Sequence, residues 1–359
     1  MQKKSINKKS LIINISIVLV VSGLTIFYLA KNKAFNNIEY LLKVPFYDYL
    51  LLGLMVLLIV LSDSFIIYYS FKSLKKKYRY QEALGTYLFG NLGSAITPGK
   101  SGHYPFMLYY YEKEGVSATE ALGVSTRNQV VYSTTLIILY TIVMIISLVN
   151  NFTITIGNKI IHVWFFSLIG LIANVGYALG FLLLCYVKWF SRLIIKFMAF
   201  LLYKFKKISS RDAYITEENA KMNQTRAYLT AMFKNFYTII PQVLVYFIFV
   251  MCLYSFPYVI YLLLTNNAFN IKDLILFFTL AQGMSYATNI IPVPGNALVS
   301  EYIYLLFFTS FYPNDEIIGL SVILWRFCTY YLLMIIDFIY FFIYMVKTSK
   351  KETMEVQNE

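Results

Sequence analysis

Ionisable side chains occur inside stretches of this sequence that are otherwise strongly apolar. An ionised group is costly in hydrocarbon, so such residues usually face a protein interior or a water-filled path and serve a function. The cations in this set can bind phosphate, Arg through two parallel hydrogen bonds, and the carboxylates can balance the cations or bind an amine. The residues concerned are Asp63, Lys100, His103, Arg127, Glu301, Arg326 and Asp337.

Two Pro-Gly dipeptides interrupt apolar segments close to these charges, in "AITPGKSGHYP" and in "PVPGNALVSE". Irregular backbone at membrane depth leaves N–H and C=O groups unpaired, so it persists only where it is buried in protein or lines a water-filled cavity. Half-helices that begin at such breaks direct N–H donors and a positive dipole end at an anion. The predicted residues for binding a lipid headgroup are Thr97, Pro98, Gly99, Lys100, Arg127, Pro292, Pro294, Gly295, Glu301 and Arg326.

Several of these charges also admit a structural interpretation. Arg127 either contacts the substrate or extends to the membrane surface at the cytoplasmic end of its span. Glu301 either meets a substrate or pairs with Arg326, and the two roles are compatible. Arg326 lies well inside its span, which favours a functional role. We interpret Asp63 and Asp337 as helix-packing or interfacial residues more readily than as ligands.

The elements that must position these residues are membrane helices. The 359 residues are 59% hydrophobic and 14% charged, and the mean hydropathy is +0.62, far from the values of a soluble domain. The predicted fold class is an all-α polytopic membrane protein with about six full spans and two re-entrant or broken-helix hairpins. The spans are predicted at 11–30, 48–71, 126–149, 161–187, 236–264 and 316–346, and the hairpins near 84–111 and 271–311.

The order of these elements predicts an inverted repeat. Residues 11–149 contain span, span, hairpin and span, and residues 161–346 repeat that order. Three spans precede the second unit, so it enters the membrane from the opposite side. An arginine follows each break at a similar distance, Arg127 and then Arg326. Broken hydrophobic segments at corresponding positions of two inverted halves indicate a transporter's substrate site.

The distribution of Lys and Arg predicts the orientation in the membrane. Most of the 31 basic residues lie in the tail at 1–10, in "KSLKKKYR", in the segment 188–235 and in the tail at 347–359, whereas the loop at 150–160 has few. This bias predicts a multi-pass protein of the cell (cytoplasmic) membrane with cytoplasmic N- and C-termini and an outside loop at 150–160. The net charge of +13 then faces anionic lipid, and no nucleic-acid partner is expected.

The segment 188–235 begins with "KWFSRLIIKFMAFLLYKFKK", in which aromatic or aliphatic residues alternate with cations at helical spacing. This pattern predicts an amphipathic helix in the inner membrane interface. The same helix is also a candidate dock for a partner enzyme. The first apolar segment, 11–30, is interpreted as a retained anchor rather than a signal peptide, because it is long and no small-residue cleavage site follows it.

No metal site, cofactor or catalytic set is predicted. The three cysteines lack C-x-x-C spacing and are interpreted as packing residues, and two histidines are too few for a His-based metal site. A nucleophile with its base and orienting group is not recognisable either. We therefore do not expect the chain to be an enzyme by itself.

Three motifs, "NLGSAITPGKSGHYP", "NIIPVPGNALVSE" and "WRFCTYYLL", follow one another in this order. They resemble motifs of the flippase-like transmembrane region of the lysylphosphatidylglycerol synthase family, over residues 10–346. Larger members fuse this unit to a soluble domain that transfers lysine from lysyl-tRNA to phosphatidylglycerol; only the tail at 347–359 follows here, so that domain is not expected. The chain departs from the family pattern at Lys100, where small residues are usual, and at 296–298, where glycine is usual.

The resemblance implies a membrane lipid translocase. Its cargo would be lysylphosphatidylglycerol or another anionic or aminoacylated phospholipid, and its transport would contribute to resistance to cationic antimicrobial peptides. Two alternatives stay open: a phosphatidylglycerol lysyltransferase-like enzyme, and a noncatalytic membrane partner of a lipid synthase or glycosyltransferase. The expected partners are phospholipid and the membrane, and a homo-oligomer is considered as well.

Overall fold

The structure is a computed structural model that describes residues 39–290, 293 and 295–357, together with the isolated positions 16, 20, 23 and 27. Most of the predicted span at 11–30 lies outside these residues, as do Pro292 and Pro294 of the second break. Side chains are described as far as residue 348, except at 289 and 290.

Helices make up most of the described chain. In order, the elements are α1 (Glu39–Lys43), α2 (Phe46–Ser73), α3 (Tyr80–Ile96), α4 (His103–Lys113), α5 (Ala118–Val149), β1 (Thr153–Ile156), β2 (Lys159–His162), α6 (Trp164–Tyr186), α7 (Lys188–Lys204), α8 (Arg211–Lys234), a 3₁₀ turn (Phe236–Thr238), α9 (Ile239–Thr265), α10 (Ile271–Ile290), α11 (Val299–Phe308), a 3₁₀ turn (Thr309–Phe311), α12 (Asp315–Arg326), a π turn (Phe327–Tyr331) and α13 (Leu332–Gln357).

Five helical segments of the described chain are long and apolar enough to cross a membrane. They are Phe46–Ser73, Ala118–Val149, Trp164–Tyr186, Phe236–Thr265 and Asp315–Thr348. These segments coincide with the five predicted spans that lie within the described residues, so the all-α polytopic class is confirmed. The protein is a multi-pass membrane protein.

The helix α5 begins eight residues before the apolar window that predicted it. Its N-terminus is fixed by a capping box, in which Ser117 Oγ accepts a hydrogen bond from the Glu120 N–H and the Glu120 carboxylate accepts one from the Ser117 N–H. This reciprocal arrangement satisfies N–H groups that a helix start otherwise leaves unpaired. A hydropathy window does not detect the first two turns of α5, because these turns are polar. Their helical conformation depends on the capping side chains instead.

Both predicted hairpins are pairs of helices of unequal length. In the first, α3 has 17 residues and α4 has 11. In the second, α10 has 20 residues and α11 has 10. The long helix precedes the short one in both hairpins, and the inverted repeat itself stays a prediction.

The first helix of each hairpin packs against two of the long spans. The helix α3 packs against α4, α2 and α13, while α10 packs against α9, α6 and α11. The helix α2 also lies along α9, which joins the two halves of the chain. Leu54, Leu57 and Leu61 of α2 are exposed, as expected for side chains that face lipid rather than water.

Regular structure also occurs in the predicted loop at 150–160 and in the segment 188–235, where only the first helix was predicted. Residues within 150–160 and the two that follow form an antiparallel hairpin, β1 with β2, around a turn at Gly157, whose φ is 60°. The strands are four residues long, too short for alternation to be recognised in the sequence. The segment 188–235 forms α7, as the amphipathic pattern predicted, and also α8.

Candidate functional site

The first backbone break is a tight Pro-Gly turn. The Lys100 N–H donates to the Thr97 carbonyl at 3.3 Å, and Gly99 between them has a φ of 57°. Proline favours the first central position of such a turn and glycine the second, where φ is positive. Thr97 Oγ1 holds the turn in place, because it donates to the Gly93 carbonyl at 2.6 Å and accepts from the Gly102 N–H at 2.7 Å.

The second break has the same backbone pattern. The Asn296 N–H donates to the Val293 carbonyl at 3.0 Å, and Gly295 has a φ of 61°. In both breaks the next residue is also left-handed, with φ of 57° at Lys100 and 52° at Asn296. Lys100 and Asn296 therefore occupy equivalent positions in the two halves of the chain.

Glu301 and Arg326 form a buried ion pair beside the second break. Arg326 Nε donates to Glu301 Oε1 at 2.5 Å, and Arg326 Nη2 donates to the Gly295 carbonyl at 3.1 Å. Ser300 Oγ donates to the other carboxylate oxygen at 2.9 Å. Since Glu301 is 1% exposed and Arg326 5%, removing either partner would leave an uncompensated charge in the interior.

Tyr330 connects the two breaks. Its ring lies 4.6 Å from the Arg326 guanidinium carbon, within the range of a cation–π contact. Its hydroxyl donates to the Ala95 carbonyl, near the end of α3, at 3.1 Å. A Cβ atom at Gly295 would overlap the same ring, so the second break requires glycine for close approach as well as for its positive φ. The π turn Phe327–Tyr331 places Tyr330 one helical turn beyond Arg326.

A cavity of about 190 Å³ lies between the breaks. Lys100 enters its lining from the first break, Asn296 enters from the second, and Arg326 enters from the end of α12. Its wall also contains several uncharged hydrogen-bonding residues. These are Asn91, Ser94, Ser285, Thr288, Ser300, Thr329, Tyr254 and Tyr330. We call it the inter-break cavity.

A larger cavity of about 560 Å³ adjoins the inter-break cavity. The two share Lys100, Leu253, Tyr254 and Ser285. The larger cavity is also lined by Asp63, His103, amide side chains and tyrosines. The amides are Asn128, Gln129 and Asn174, and the tyrosines are Tyr87, Tyr104, Tyr132, Tyr177, Tyr246, Tyr254 and Tyr286. We call it the tyrosine cavity.

Arg127 is not part of the lining of either cavity. It is 0% exposed, and its guanidinium donates to Ser73 Oγ, Thr238 Oγ1, Gln242 Oε1 and the Met232 carbonyl. These partners belong to α2, α8, α9 and the 3₁₀ turn before α9, so the side chain ties four elements together. None of these partners belongs to either break.

The two remaining carboxylates occupy different environments. Asp337 is 1% exposed and accepts a hydrogen bond from Asn91 Nδ2 at 2.7 Å, which joins α13 to α3. This contact fits the helix-packing interpretation. Asp63 lines the tyrosine cavity, and among the described residues its carboxylate accepts no hydrogen bond. Asp63 is therefore available to a ligand.

Sequence reasoning missed several cavity residues. Asn91, Asn128 and Tyr254 lie within apolar helices and line the cavities. Polar side chains in a membrane helix are a usable signal, because they tend to face the protein interior. The abundance of tyrosine, 33 residues in all, conceals which of them share a cavity.

Comparison with known protein families gives one match. The family described as the lysylphosphatidylglycerol synthase TM region matches residues 12–336. That range contains both breaks and the Glu301–Arg326 pair. A comparison with curated proteins found no match.

Proposed function

The chain belongs to the family of the lysylphosphatidylglycerol synthase transmembrane region, and from this premise we propose that it moves a phospholipid between the leaflets of a membrane. The headgroup would pass through the inter-break cavity while the acyl chains stay in lipid. We further propose that the two halves form an inverted repeat in the cell membrane with cytoplasmic termini, which the charge bias supports.

The observation that carries this proposal is the meeting of two cations from the two halves of the chain. Lys100 and Arg326 both line the inter-break cavity of about 190 Å³. A phosphate in hydrocarbon lacks hydrogen-bond partners, and burying it unpaired is costly. A cavity with two cations and several hydroxyl groups would replace the water that the headgroup gives up.

Arg326 has capacity left for such a ligand. Its Nε and Nη2 contact Glu301 and Gly295, whereas Nη1 donates to no group in the described part of the chain. A phosphate that approached Nη1 would share the guanidinium with Glu301. We therefore propose that Glu301 balances Arg326 in the empty protein and is partly displaced when lipid binds.

The other predicted site residues receive distinct roles in this proposal. Thr97, Pro98 and Gly99 shape the first break through the hydrogen bonds of Thr97. Pro292 and Pro294, which lie outside the described residues, are assigned the same role in the second break from the sequence alone. Arg127 positions the helices around the cavity instead of touching the headgroup, since its donors are engaged elsewhere.

A transport assay tests the proposal. The purified protein would be reconstituted into liposomes that carry phosphatidylglycerol with a fluorophore on an acyl chain, and a membrane-impermeant quencher would report the label in the outer leaflet. In liposomes without protein, we expect the quencher to reach only the label in the outer leaflet. In liposomes with protein, we expect the inner-leaflet label to be quenched as well, because the labelled lipid moves to the outer leaflet. If folded protein leaves the inner-leaflet label of every phospholipid tested as protected as in empty liposomes, the translocase proposal is wrong.

The Lys100→Gly variant is expected to lose transport without losing stability. Lysine in the left-handed region costs about 1–2 kcal/mol relative to residues without a Cβ atom, and glycine keeps the turn at no such cost. We expect an unchanged or higher melting temperature in detergent, and a transport rate lower by roughly tenfold, the effect of one charge-assisted hydrogen bond.

The control for this variant is Lys272→Gly, since Lys272 lies in the first turn of α10, outside both cavities. Transport at the wild-type rate by Lys100→Gly would contradict the proposed contact between Lys100 and the headgroup.

A further inference from the structure

We infer that the transported lipid carries a hydroxylated ring, a sugar or cyclic polyol linked to its phosphate, and that this ring occupies the tyrosine cavity. The inference rests on the proposed lipid transport and specifies its substrate class. Four observations support it: the connection of the two cavities, their volumes, the side chains of the larger one, and its charge.

The connection of the cavities suits a headgroup with two parts. A phosphate bound by Arg326 would lie in the inter-break cavity, and Lys100 belongs to the wall of both cavities. A group attached to that phosphate would extend past Lys100 into the tyrosine cavity. The volume of about 560 Å³ falls within the roughly 300–1,000 Å³ of small-molecule sites, whereas about 190 Å³ lies below that range and suits a phosphate.

Tyrosines make up much of the wall of the larger cavity. A tyrosine offers an apolar ring and a hydroxyl that can donate or accept a hydrogen bond. The ring of a sugar or cyclic polyol has the complementary character, with C–H groups on its faces and hydroxyl groups at its edge. Some of these polar groups are paired with each other, as Tyr104 is with Gln129, but a straight hydrocarbon chain would leave the Asp63 carboxylate without a partner, which is costly.

The remaining polar groups provide both donors and acceptors. Asp63 offers carboxylate oxygens as acceptors. Asn128 Oδ1 already accepts from Ser70 at 2.5 Å, which leaves its amide hydrogens for a ligand. His103 also lines the cavity, and its Nδ1 contacts Ser94 Oγ at 3.0 Å. Hydroxyl groups, each both donor and acceptor, match such a mixed set.

The charge of the tyrosine cavity disfavours a cationic headgroup. Among its described lining residues Asp63 is the sole carboxylate, and Lys100 contributes a positive charge. A lysyl headgroup has two ammonium groups, and a buried charge needs a paired opposite charge. One carboxylate beside a lysine cannot pair with both. An uncharged, hydroxylated group fits this cavity better than the aminoacyl group after which the family is named.

Transport of three lipids with identical acyl chains tests the inference. The tracers are phosphatidylinositol, lysylphosphatidylglycerol and phosphatidylglycerol, each measured in liposomes containing the purified full chain. We expect phosphatidylinositol to move at least roughly tenfold faster than lysylphosphatidylglycerol, the effect of a few well-placed hydrogen bonds. If lysylphosphatidylglycerol moves as fast or faster, the inference is wrong while the translocase proposal stands. If none of the three moves, both fail.

Two substitutions at Asp63 separate hydrogen bonding from charge. Asp63→Asn keeps one acceptor oxygen and removes the charge, so it should lower phosphatidylinositol transport clearly less than Asp63→Leu does. Asp63→Leu removes both and should lower that rate roughly tenfold, with phosphatidylglycerol changed less than about threefold. Asp337→Asn, at a carboxylate outside both cavities, is the matched control, and thermal unfolding checks that each variant folds. An equal loss in Asp63→Asn and Asp63→Leu would show that the charge matters and would overturn the inference.

Discussion

Replacing Glu301 by glutamine and Arg326 by methionine in the same chain is expected to abolish lipid transport while the protein still folds. The double change removes both buried charges, and exchanging a buried ion pair for uncharged residues of similar volume is often tolerated. Transport should fall about 100-fold, because the guanidinium contact with phosphate is worth roughly 3 kcal/mol. The rate would be measured in liposomes and folding by thermal unfolding in detergent.

The two single variants should behave differently from the pair. Arg326→Met alone leaves the Glu301 carboxylate, which is 1% exposed, without its partner, so we expect the free energy of unfolding to fall by about 3–5 kcal/mol. Glu301→Gln alone keeps the cation and removes the carboxylate that competes with phosphate, so more phospholipid should copurify with it. Wild-type transport by the folded double variant would refute the role assigned to Arg326.

Replacing Arg127 by methionine is expected to damage stability far more than transport. The substitution removes the donors that satisfy Ser73, Thr238 and Gln242, and each buried acceptor left unpaired costs about 1–3 kcal/mol. We expect unfolding to become easier by about 3–5 kcal/mol in total. The transport rate per folded molecule should change little, since Arg127 touches neither cavity.

The control for this variant is Arg79→Met. Arg79 pairs with Glu82 at 2.7 Å with a side chain that is 76% exposed, and such surface pairs contribute at most about 1 kcal/mol. Unfolding curves of both variants in the same detergent give the comparison. If Arg127→Met unfolds like wild type but no longer transports lipid, Arg127 is a headgroup ligand, which is one of the two roles that the sequence left open.

The features that the sequence predicted correctly are those with local signals. The five spans within the described residues follow from hydropathy, and the positive φ values at Gly99 and Gly295 follow from the glycines of the two breaks. The contact between Glu301 and Arg326 was one of two open interpretations, and the structure brings these side chains together. Whether they bind a substrate stays a proposal.

The features that were missed depend on contacts between distant parts of the chain. The partners of Arg127 come from α2, α8 and α9, and no local pattern marks Ser73 or Gln242 as acceptors for it. Tyr330 joins the second half to Ala95 in the first, through a π turn that apolar periodicity does not reveal. The tyrosine cavity likewise exists only once helices from both halves pack together.

The equivalent positions of Lys100 and Asn296 carry a thermodynamic consequence. The two breaks share their backbone turn but not their charge, so the two halves of the proposed pathway are energetically unequal. Without an energy source, detailed balance still holds for the transport cycle. The energetic difference between the two halves can then determine only which side of the membrane the empty protein faces and which half of the cycle limits the rate. The final lipid ratio would follow from the membrane alone. A sustained excess of lipid in one leaflet of a reconstituted vesicle would therefore require coupling to an ion gradient or to the membrane potential.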